Sequence, residues 1–230
     1  MEFTFSDDQE ALRGAVRQFL AAESPMSYVR ERWESDDGVT DEVWRQIVDL
    51  GWTGLLVPEA QGGLGLGLVD LVVVQEEMGR VPFPGPYFSS SILATLAAVR
   101  LGLTDRTAAL AAGECTGTVA LDEQGHGDPV DRVRTRASRK SGRWRLTGHK
   151  PIVLDGHRAD WVLVAARTQE GLGTFVIERP EAELVPTWDG GRKVARLVLD
   201  APPADPVGPD GDHTALWRRV ADDANVALCA

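Results

Sequence analysis

Two regions of different periodicity meet in the stretch Gly113-Glu114-Cys115-Thr116-Gly117-Thr118-Val119-Ala120-Leu121. Before it, apolar residues recur at helical spacing, which predicts helices. After it, short apolar or alternating runs divided by turn residues predict strands. The change of pattern indicates a domain boundary near Glu114. The sequence therefore predicts an α+β fold, in which an N-terminal all-α helical domain precedes a small antiparallel β domain.

The N-terminal half contains several signals of helix starts and ends. Ser6 and Gln9 have the spacing of a capping box, ahead of an amphipathic helix that ends near Glu23. A second helix is predicted after Thr40, where two acidic residues occupy the favourable first turn. Further helices are predicted over residues 68–80, 89–99 and 105–112.

The second half contains six strand candidates that no helix separates. They are Gly117–Leu121, Val133–Ala137, Trp144–Thr147, Trp161–Ala166, Thr174–Ile177 and Val194–Leu199. Because strands without intervening helices pair antiparallel, the sequence predicts a small sandwich or barrel. The polar stretch Ser138–Gly142 is interpreted as a hairpin connection.

A linker rich in proline and aspartate leads from Ala201 to a last helix that begins near Thr214. The predicted domains are 1–113 (helical), 114–205 (β) and 206–230, which holds the linker and the first helix of a truncated C-terminal helical bundle. The apolar stripe of this helix runs from Leu216 to Leu228. It predicts a cover from a continuation of the chain or from another subunit.

The composition is that of a folded globular protein, with 43% hydrophobic and 26% charged residues. The net charge of −11 argues against nucleic acid as a partner. No apolar run is long enough to predict a membrane span. The acidic N-terminus, Met1 to Asp8, does not have the pattern of a signal peptide, so a cytoplasmic location is predicted. Cys115 and Cys229 are interpreted as two separate thiols.

Several motifs resemble the acyl-CoA dehydrogenase family in their order and spacing. They are Phe5-Ser6-Asp7-Asp8-Gln9-Glu10-Ala11-Leu12-Arg13, Leu50-Gly51-Trp52-Thr53-Gly54-Leu55-Leu56-Val57-Pro58-Glu59 with Gln61-Gly62-Gly63, and Glu76-Glu77-Met78-Gly79. The resemblance covers essentially the whole chain. It implies a flavoprotein with FAD as its cofactor.

The resemblance also implies a flavin-binding stretch. The family's pattern apolar-Thr-Glu-Pro-Gly-x-Gly-Ser-Asp corresponds here to Leu121-Asp122-Glu123-Gln124-Gly125-His126-Gly127-Asp128-Pro129. The candidate FAD contacts in this stretch are Leu121, Asp122, Glu123, Gly125, Gly127 and Asp128. Asp122 replaces a threonine whose hydroxyl donates toward the pyrimidine end of the isoalloxazine. An ionised Asp122 would accept instead, and would repel the reduced flavin.

A second family contact, Trp-x-Thr after Gly-x-Lys, corresponds to Ile152-Val153-Leu154 after Gly148-His149-Lys150. Ile152 replaces the tryptophan that packs on the ring. Leu154 replaces the threonine that bonds near the reactive nitrogen. At roughly 1 kcal/mol for each net hydrogen bond, the missing contacts predict FAD binding weaker by about one to three orders of magnitude.

The activity implied by the resemblance is removal of the α proton of an acyl-CoA thioester with hydride transfer from the β carbon to FAD. The family's catalytic glutamate lies in the C-terminal domain, so no catalytic residue is nominated in this chain. Implied partners are the acyl-CoA substrate, related subunits in a homo- or hetero-oligomer, and electron-transfer flavoprotein or another acceptor. Two alternatives stay open: a non-catalytic partner subunit with weakened or lost FAD binding, and a flavin-dependent oxidase or monooxygenase.

Other residues admit two interpretations. The glycine cluster, residues 62–67, is either a phosphate cradle or a plain connector, and the absence of G-x-G-x-x-G spacing favours the connector. His126 is either a catalytic imidazole or a solvent-facing loop residue, and the second is favoured. Asp128 is either a substrate contact or a turn residue. Ser89–Ser91 and Thr95 either line an acyl pocket or begin a helix.

Overall fold

The computed structural model describes residues 4–230. Residues 1–3, on which part of the signal-peptide prediction depends, lie outside the described residues. Helices occupy the first half. They are α1 (Asp7–Glu23), α2 (Met26–Glu34), α3 (Asp41–Asp49), α4 (Leu68–Arg80), a π-helix (Tyr87–Ala94), α5 (Thr95–Leu101) and α6 (Thr104–Ala111), with short 3₁₀ turns at Trp52–Gly54 and Glu59–Gln61. No helix within residues 4–230 combines the length and apolar character needed to cross a bilayer.

The helix starts follow the sequence signals. Ser6 Oγ accepts a hydrogen bond from the Gln9 amide at 3.2 Å, and the Gln9 side chain accepts one from the Ser6 amide at 3.1 Å, which completes the capping box. Thr40 caps α3 by a single bond, which its Oγ1 accepts from the Val43 amide. The single helix predicted over 89–99 is instead the π-helix followed by α5. α2 was not predicted, because Val29 is its only buried residue and leaves no apolar stripe to detect.

The second half forms one eight-stranded sheet. Its strands are β1 (Gly117–Ala120), β2 (Arg136–Lys140), β3 (Arg143–Leu154), β4 (Trp161–Arg167), β5 (Leu172–Glu178), β6 (Ala182–Val185), β7 (Val194–Pro203) and β8 (Asp205–Pro206). The spatial order is β6-β7-β3-β2-β4-β5-β8, and β1 pairs with β4.

The sheet is predominantly antiparallel, as predicted, but it differs from the expectation in two details. Pairing is antiparallel except at β4, which β1 meets in parallel over four residues and β2 meets in parallel at Arg136 and Arg167. The β2–β3 hairpin also begins later than predicted, because Ser138 to Lys140 belong to β2 and only Ser141-Gly142 form the turn. Both turn residues have positive φ, 52° and 79°, as a two-residue hairpin turn requires.

β4 separates two apolar cores. Its alternate residues Trp161, Leu163 and Ala165 pack into the core shared with the helices, whereas the others face a smaller core inside the sheet. Both faces are therefore buried, which explains why this strand is a continuous apolar run.

The last helix, α7 (Thr214–Leu228), packs against α4, α5 and the π-helix. Trp217 and Val220 are fully buried, and Asp223 pairs with Arg100 of α5. The expectation of an uncovered stripe is therefore corrected, since most of the apolar face of α7 is covered within the chain. Leu228 keeps 44% exposure at the helix end.

The glycine cluster is a connector. The backbone amides of residues 62–66 donate to carbonyl oxygens of Glu59, Pro58, Gly54, Val57 and Leu55 respectively. These N–H groups are thus already used within the protein. A phosphate cradle needs free amides, so this stretch does not supply one.

Candidate functional site

The loop that follows β1 and the end of β3 lie together. Thr118 Oγ1 of β1 donates to the carbonyl oxygen of Leu154 at 2.6 Å. Four residues earlier in β3, Lys150 Nζ donates to the carbonyl oxygen of Leu121, just after β1, at 3.2 Å. The two stretches nominated from the sequence, 121–128 and 152–154, are therefore neighbours in the folded protein.

Glu123 and Lys150 form the buried anchor of the loop. Lys150 has no exposed surface, and its Nζ lies 2.8 Å from Glu123 Oε1. Glu123 also accepts from the amides of Arg134 (2.7 Å) and Thr135 (3.0 Å) and from Thr135 Oγ1 (2.7 Å). The Glu123 side chain points into the protein, so it holds the loop in place.

The protonation states of this pair follow from burial and mutual attraction. Burial lowers the pKa of Lys150 to about 8, against the opposing effect of Glu123, so Lys150 stays protonated at neutral pH. Burial works against ionisation of Glu123, but the Lys150 hydrogen bond and charge, with the donors of Thr135, together lower its pKa. The pair is therefore ionised at neutral pH.

Asp122 is not a bare negative charge. Its Oδ1 accepts from Arg132 Nη2 at 2.8 Å, and Arg132 Nη1 also donates to the carbonyl oxygen of Gly125. The turn between them uses glycine conformations, with φ of 141° at Gly125 and 94° at Gly127. The sequence alone had treated Asp122 as unpaired, because its partner lies ten positions further along the chain.

Asp128 has the turn role that the sequence offered as one interpretation, and it also forms an ion pair with the last helix. Its Oδ1 accepts from the Val130 amide at 2.9 Å, and its Oδ2 accepts from Arg218 Nε of α7 at 3.0 Å. The Val130 bond and the Arg218 charge lower the pKa of Asp128. Arg218 also bridges to Asp131 at 2.7 Å. These contacts tie the loop to the last helix. His126 is exposed at the loop tip.

The last three side chains of β3 differ in their exposure to solvent. Ile152 is 44% exposed, Val153 is buried in the inner core, and Leu154 is half-buried. Any contact between Val153 and a cofactor would be made by its backbone. A register shift between Lys150 and Val153 changes which side chains face outward here.

Comparison with known proteins identifies the chain's relatives. A sequence profile of the acyl-CoA dehydrogenase N-terminal domain matches residues 6–106. The long-chain specific acyl-CoA dehydrogenase of rat mitochondria is 31% identical over 186 residues, 76% of this chain and 43% of the relative. Acyl-CoA dehydrogenase FadE27 of Mycobacterium tuberculosis is 31% identical over 228 residues, 94% of this chain and 59% of the relative.

A solved structure agrees in fold. The steroid ACAD Tcur3481-Tcur3483 superposes with a TM-score of 0.83 at 30% identity, over 96% of this chain and 61% of that one. Through its N-terminal region, the chain belongs to the acyl-CoA dehydrogenase family. It spans about half the length of the curated relatives named above.

Within this family member, three site residues escaped sequence reasoning. Arg132, Lys150 and Arg218 each pair with a carboxylate of the 121–131 loop, but they lie between 10 and 90 positions from their partners. The sequence analysis included Lys150 in the motif Gly148-His149-Lys150 but assigned it no role. For Arg132 and Arg218 the sequence offered no signal, because an isolated arginine in an acidic chain has many possible partners.

A cavity of about 290 Å³ lies beside the end of β3, between α4, the π-helix and the end of α7. Its lining includes Met78, Phe88, Ser89, Leu154 and Asp155. Ser89 faces this cavity, as one interpretation of the serine run required. Ser90 Oγ instead accepts from the Gly117 amide at 3.2 Å, which is a structural role.

Asp155 is a buried carboxyl at this cavity. It is 7% exposed, and its Oδ1 has no hydrogen-bond partner within the described residues. Its Oδ2 lies 2.6 Å from Ser89 Oγ, which also lies 3.2 Å from the carbonyl oxygen of Pro86. One serine proton cannot serve both acceptors, so a proton on Asp155 completes the network. Burial raises the pKa of Asp155, and the Ser89 contact only partly offsets this effect.

We expect Asp155→Asn to stabilise the protein at neutral pH but not in acid. Because the folded state raises the pKa of Asp155, the stability from its proton is fully present below the unfolded pKa. That stability is lost as the pH rises through the folded pKa. Asparagine cannot ionise, and it tolerates the left-handed backbone at this position, where φ is 52°.

The gain at neutral pH should be about 1 kcal/mol, or about 2–4 °C in Tm, and should be absent near about pH 4. Thermal melts at both pH values measure it. Asp210→Asn, on an exposed loop, is the control and should change neither value. A gain of equal size at both pH values would mean that Asp155 is ionised throughout.

Proposed function

We propose that this chain forms the flavin-binding part of an FAD-dependent acyl-CoA dehydrogenase, which introduces an α,β double bond into an acyl-CoA thioester. The observation that carries the proposal is the junction of the 121–128 loop with the end of β3, held by the Glu123–Lys150 pair at 2.8 Å. These two stretches correspond in position to the family's two flavin contacts, although several of their side chains differ, and family membership supports the same use here.

The residues at the junction fit a flavin head. Ile152 offers exposed apolar surface beside the loop, and the partly exposed guanidinium of Arg132 keeps one unused N–H on each Nη. Leu121, Asp122, Gly125, Gly127, Asp128 and Leu154 would lie closest to FAD, with Glu123 and Val153 holding the backbone behind them. When bound, FAD supplies the hydride acceptor.

The role of the chain's own residues in this proposal is to position the cofactor. The loop glycines allow close approach of the backbone, and three cations, one in the loop and two outside it, offset its carboxylates. The base that removes the α proton is assigned to no residue here, in keeping with its place in the family's C-terminal domain. Related subunits and an electron acceptor such as electron-transfer flavoprotein are part of the proposal.

A titration with FAD tests this proposal. The natural-length protein, stripped of cofactor, is expected to bind one FAD per chain saturably, measured by quenching of flavin fluorescence. The same titration is repeated with related subunits encoded nearby. Binding only with such a subunit would favour the partner-subunit alternative, and no binding in either case would contradict the proposal.

A further inference from the structure

The flavin loop is rich in carboxylates, yet each of them is paired with a cation. The pairs are Asp122 with Arg132 (2.8 Å), Glu123 with Lys150 (2.8 Å), and Asp128 and Asp131 with Arg218 (3.0 and 2.7 Å). The negative field expected from the sequence is therefore largely offset.

The three cations differ in their exposure and in the hydrogen-bond donors that remain unused. Lys150 is fully buried, and its donors point to Leu121 and Glu123. Arg218 belongs to α7, and its side chain is 47% exposed. Arg132 belongs to the loop itself, and its side chain is 19% exposed.

Arg132 also has unused donors. A guanidinium has five N–H groups. Arg132 directs one to Asp122 and one to Gly125, while its buried Nε has no partner within the described residues. The buried Nε is out of a ligand's reach, but the two Nη atoms keep one further N–H each, and the side chain is 19% exposed, so these are the donors that a ligand oxygen can meet.

We propose that Arg132 supplies the hydrogen-bond donor and the positive charge at the pyrimidine end of the flavin, where the family pattern has the hydroxyl of a threonine at the position of Asp122. This inference rests on the proposed function. Asp122 then acts as a positioning residue, because its ion pair at 2.8 Å fixes the guanidinium in the loop. A cation near the ring favours the reduced, more negative flavin.

The test compares FAD affinity and flavin reduction potential in variants of the natural-length protein. Arg132→Gln is expected to weaken FAD binding by about tenfold to a hundredfold, because a charge-assisted donor is lost and Asp122 is left unpaired. It should also lower the reduction potential. The double variant Asp122→Thr with Arg132→Gln restores the family's threonine without a net charge, and should recover most of the affinity.

Two further variants separate the role of Arg132 from loop stability. Arg132→Lys keeps the charge and should keep the potential close to that of the unmodified protein, even where it loosens the loop. Arg196→Gln breaks a surface pair with Glu183 of similar length, 2.7 Å against 2.8 Å, on the β6–β7 edge, and should change neither readout.

The outcomes distinguish the inference from the function on which it rests. If the unmodified protein binds FAD and Arg132→Gln binds it equally well, the inference is overturned and the proposed function stands. An equal loss of potential in the Lys and Gln variants would also overturn it. If the unmodified protein binds no FAD, alone or with a related subunit, both fall.

Discussion

Replacing Lys150 by methionine is expected to lower the free energy of unfolding by about 3–5 kcal/mol, the range found when one partner of a buried ion pair is removed. Lys150 has no exposed surface, and its Nζ bonds Glu123 and the Leu121 carbonyl. Methionine has a similar length but no charge. The variant leaves the Glu123 carboxylate buried without a cation, although its bonds from Arg134 and Thr135 remain.

Urea unfolding of the purified protein measures this loss. The double variant Lys150→Met with Glu123→Gln should recover part of the stability, because no uncompensated charge is then buried. Lys140→Met, at an exposed position of β2, is the matched control and should change stability by less than about 0.5 kcal/mol. A Lys150→Met variant within about 1 kcal/mol of the unmodified protein would show that the pair does not anchor the loop.

Gly63→Ala is the second large expected effect, with a loss of about 3 kcal/mol or more. A Cβ at Gly63 would lie 2.1 Å from the carbonyl oxygen of Val57 and 2.6 Å from its carbonyl carbon. These are backbone atoms of a fully buried residue, so they cannot move aside as a flexible side chain can. The connector between α3 and α4 would have to open.

The neighbouring glycine provides the control for this effect. Gly62 has a φ of 82°, but a Cβ there would meet no atom within 4 Å. Gly62→Ala should therefore cost only the strain of the left-handed backbone, about 1 kcal/mol. Chemical unfolding of both variants measures the difference. Equal destabilisation would indicate that backbone conformation, and not close packing, explains the paired glycines.

Sequence periodicity predicted the elements that bury an apolar face. α1, α3, α4 and α7 were recognised, as were the strongly apolar strands β4 and β5. The strand predicted over Val133–Ala137 begins three residues before β2, because Arg136 to Lys140 are mostly exposed polar residues without alternation. β6 is a four-residue edge strand and gave no signal. Parallel pairing of β1 with β4 was missed because the crossover between them is a hairpin, not a helix.

The candidate site was predictable as two stretches of chain but not as a charged network. The family pattern located Asp122, Glu123 and Leu154 by position. It could not show that Glu123 turns inward to Lys150, or that Asp122 has a partner in Arg132. Such ion pairs depend on which loops the fold brings together, and pairing rules based on spacing apply only within one helix or strand pair.

The central claim is that the 121–128 loop and the end of β3 together hold a flavin that reacts with an acyl-CoA. The most direct test is the visible absorbance spectrum of the natural-length protein loaded with FAD, recorded before and after anaerobic addition of an acyl-CoA series. The account predicts a flavin band that bleaches with at least one acyl-CoA. A protein that binds FAD but keeps its band unchanged throughout the series would contradict it.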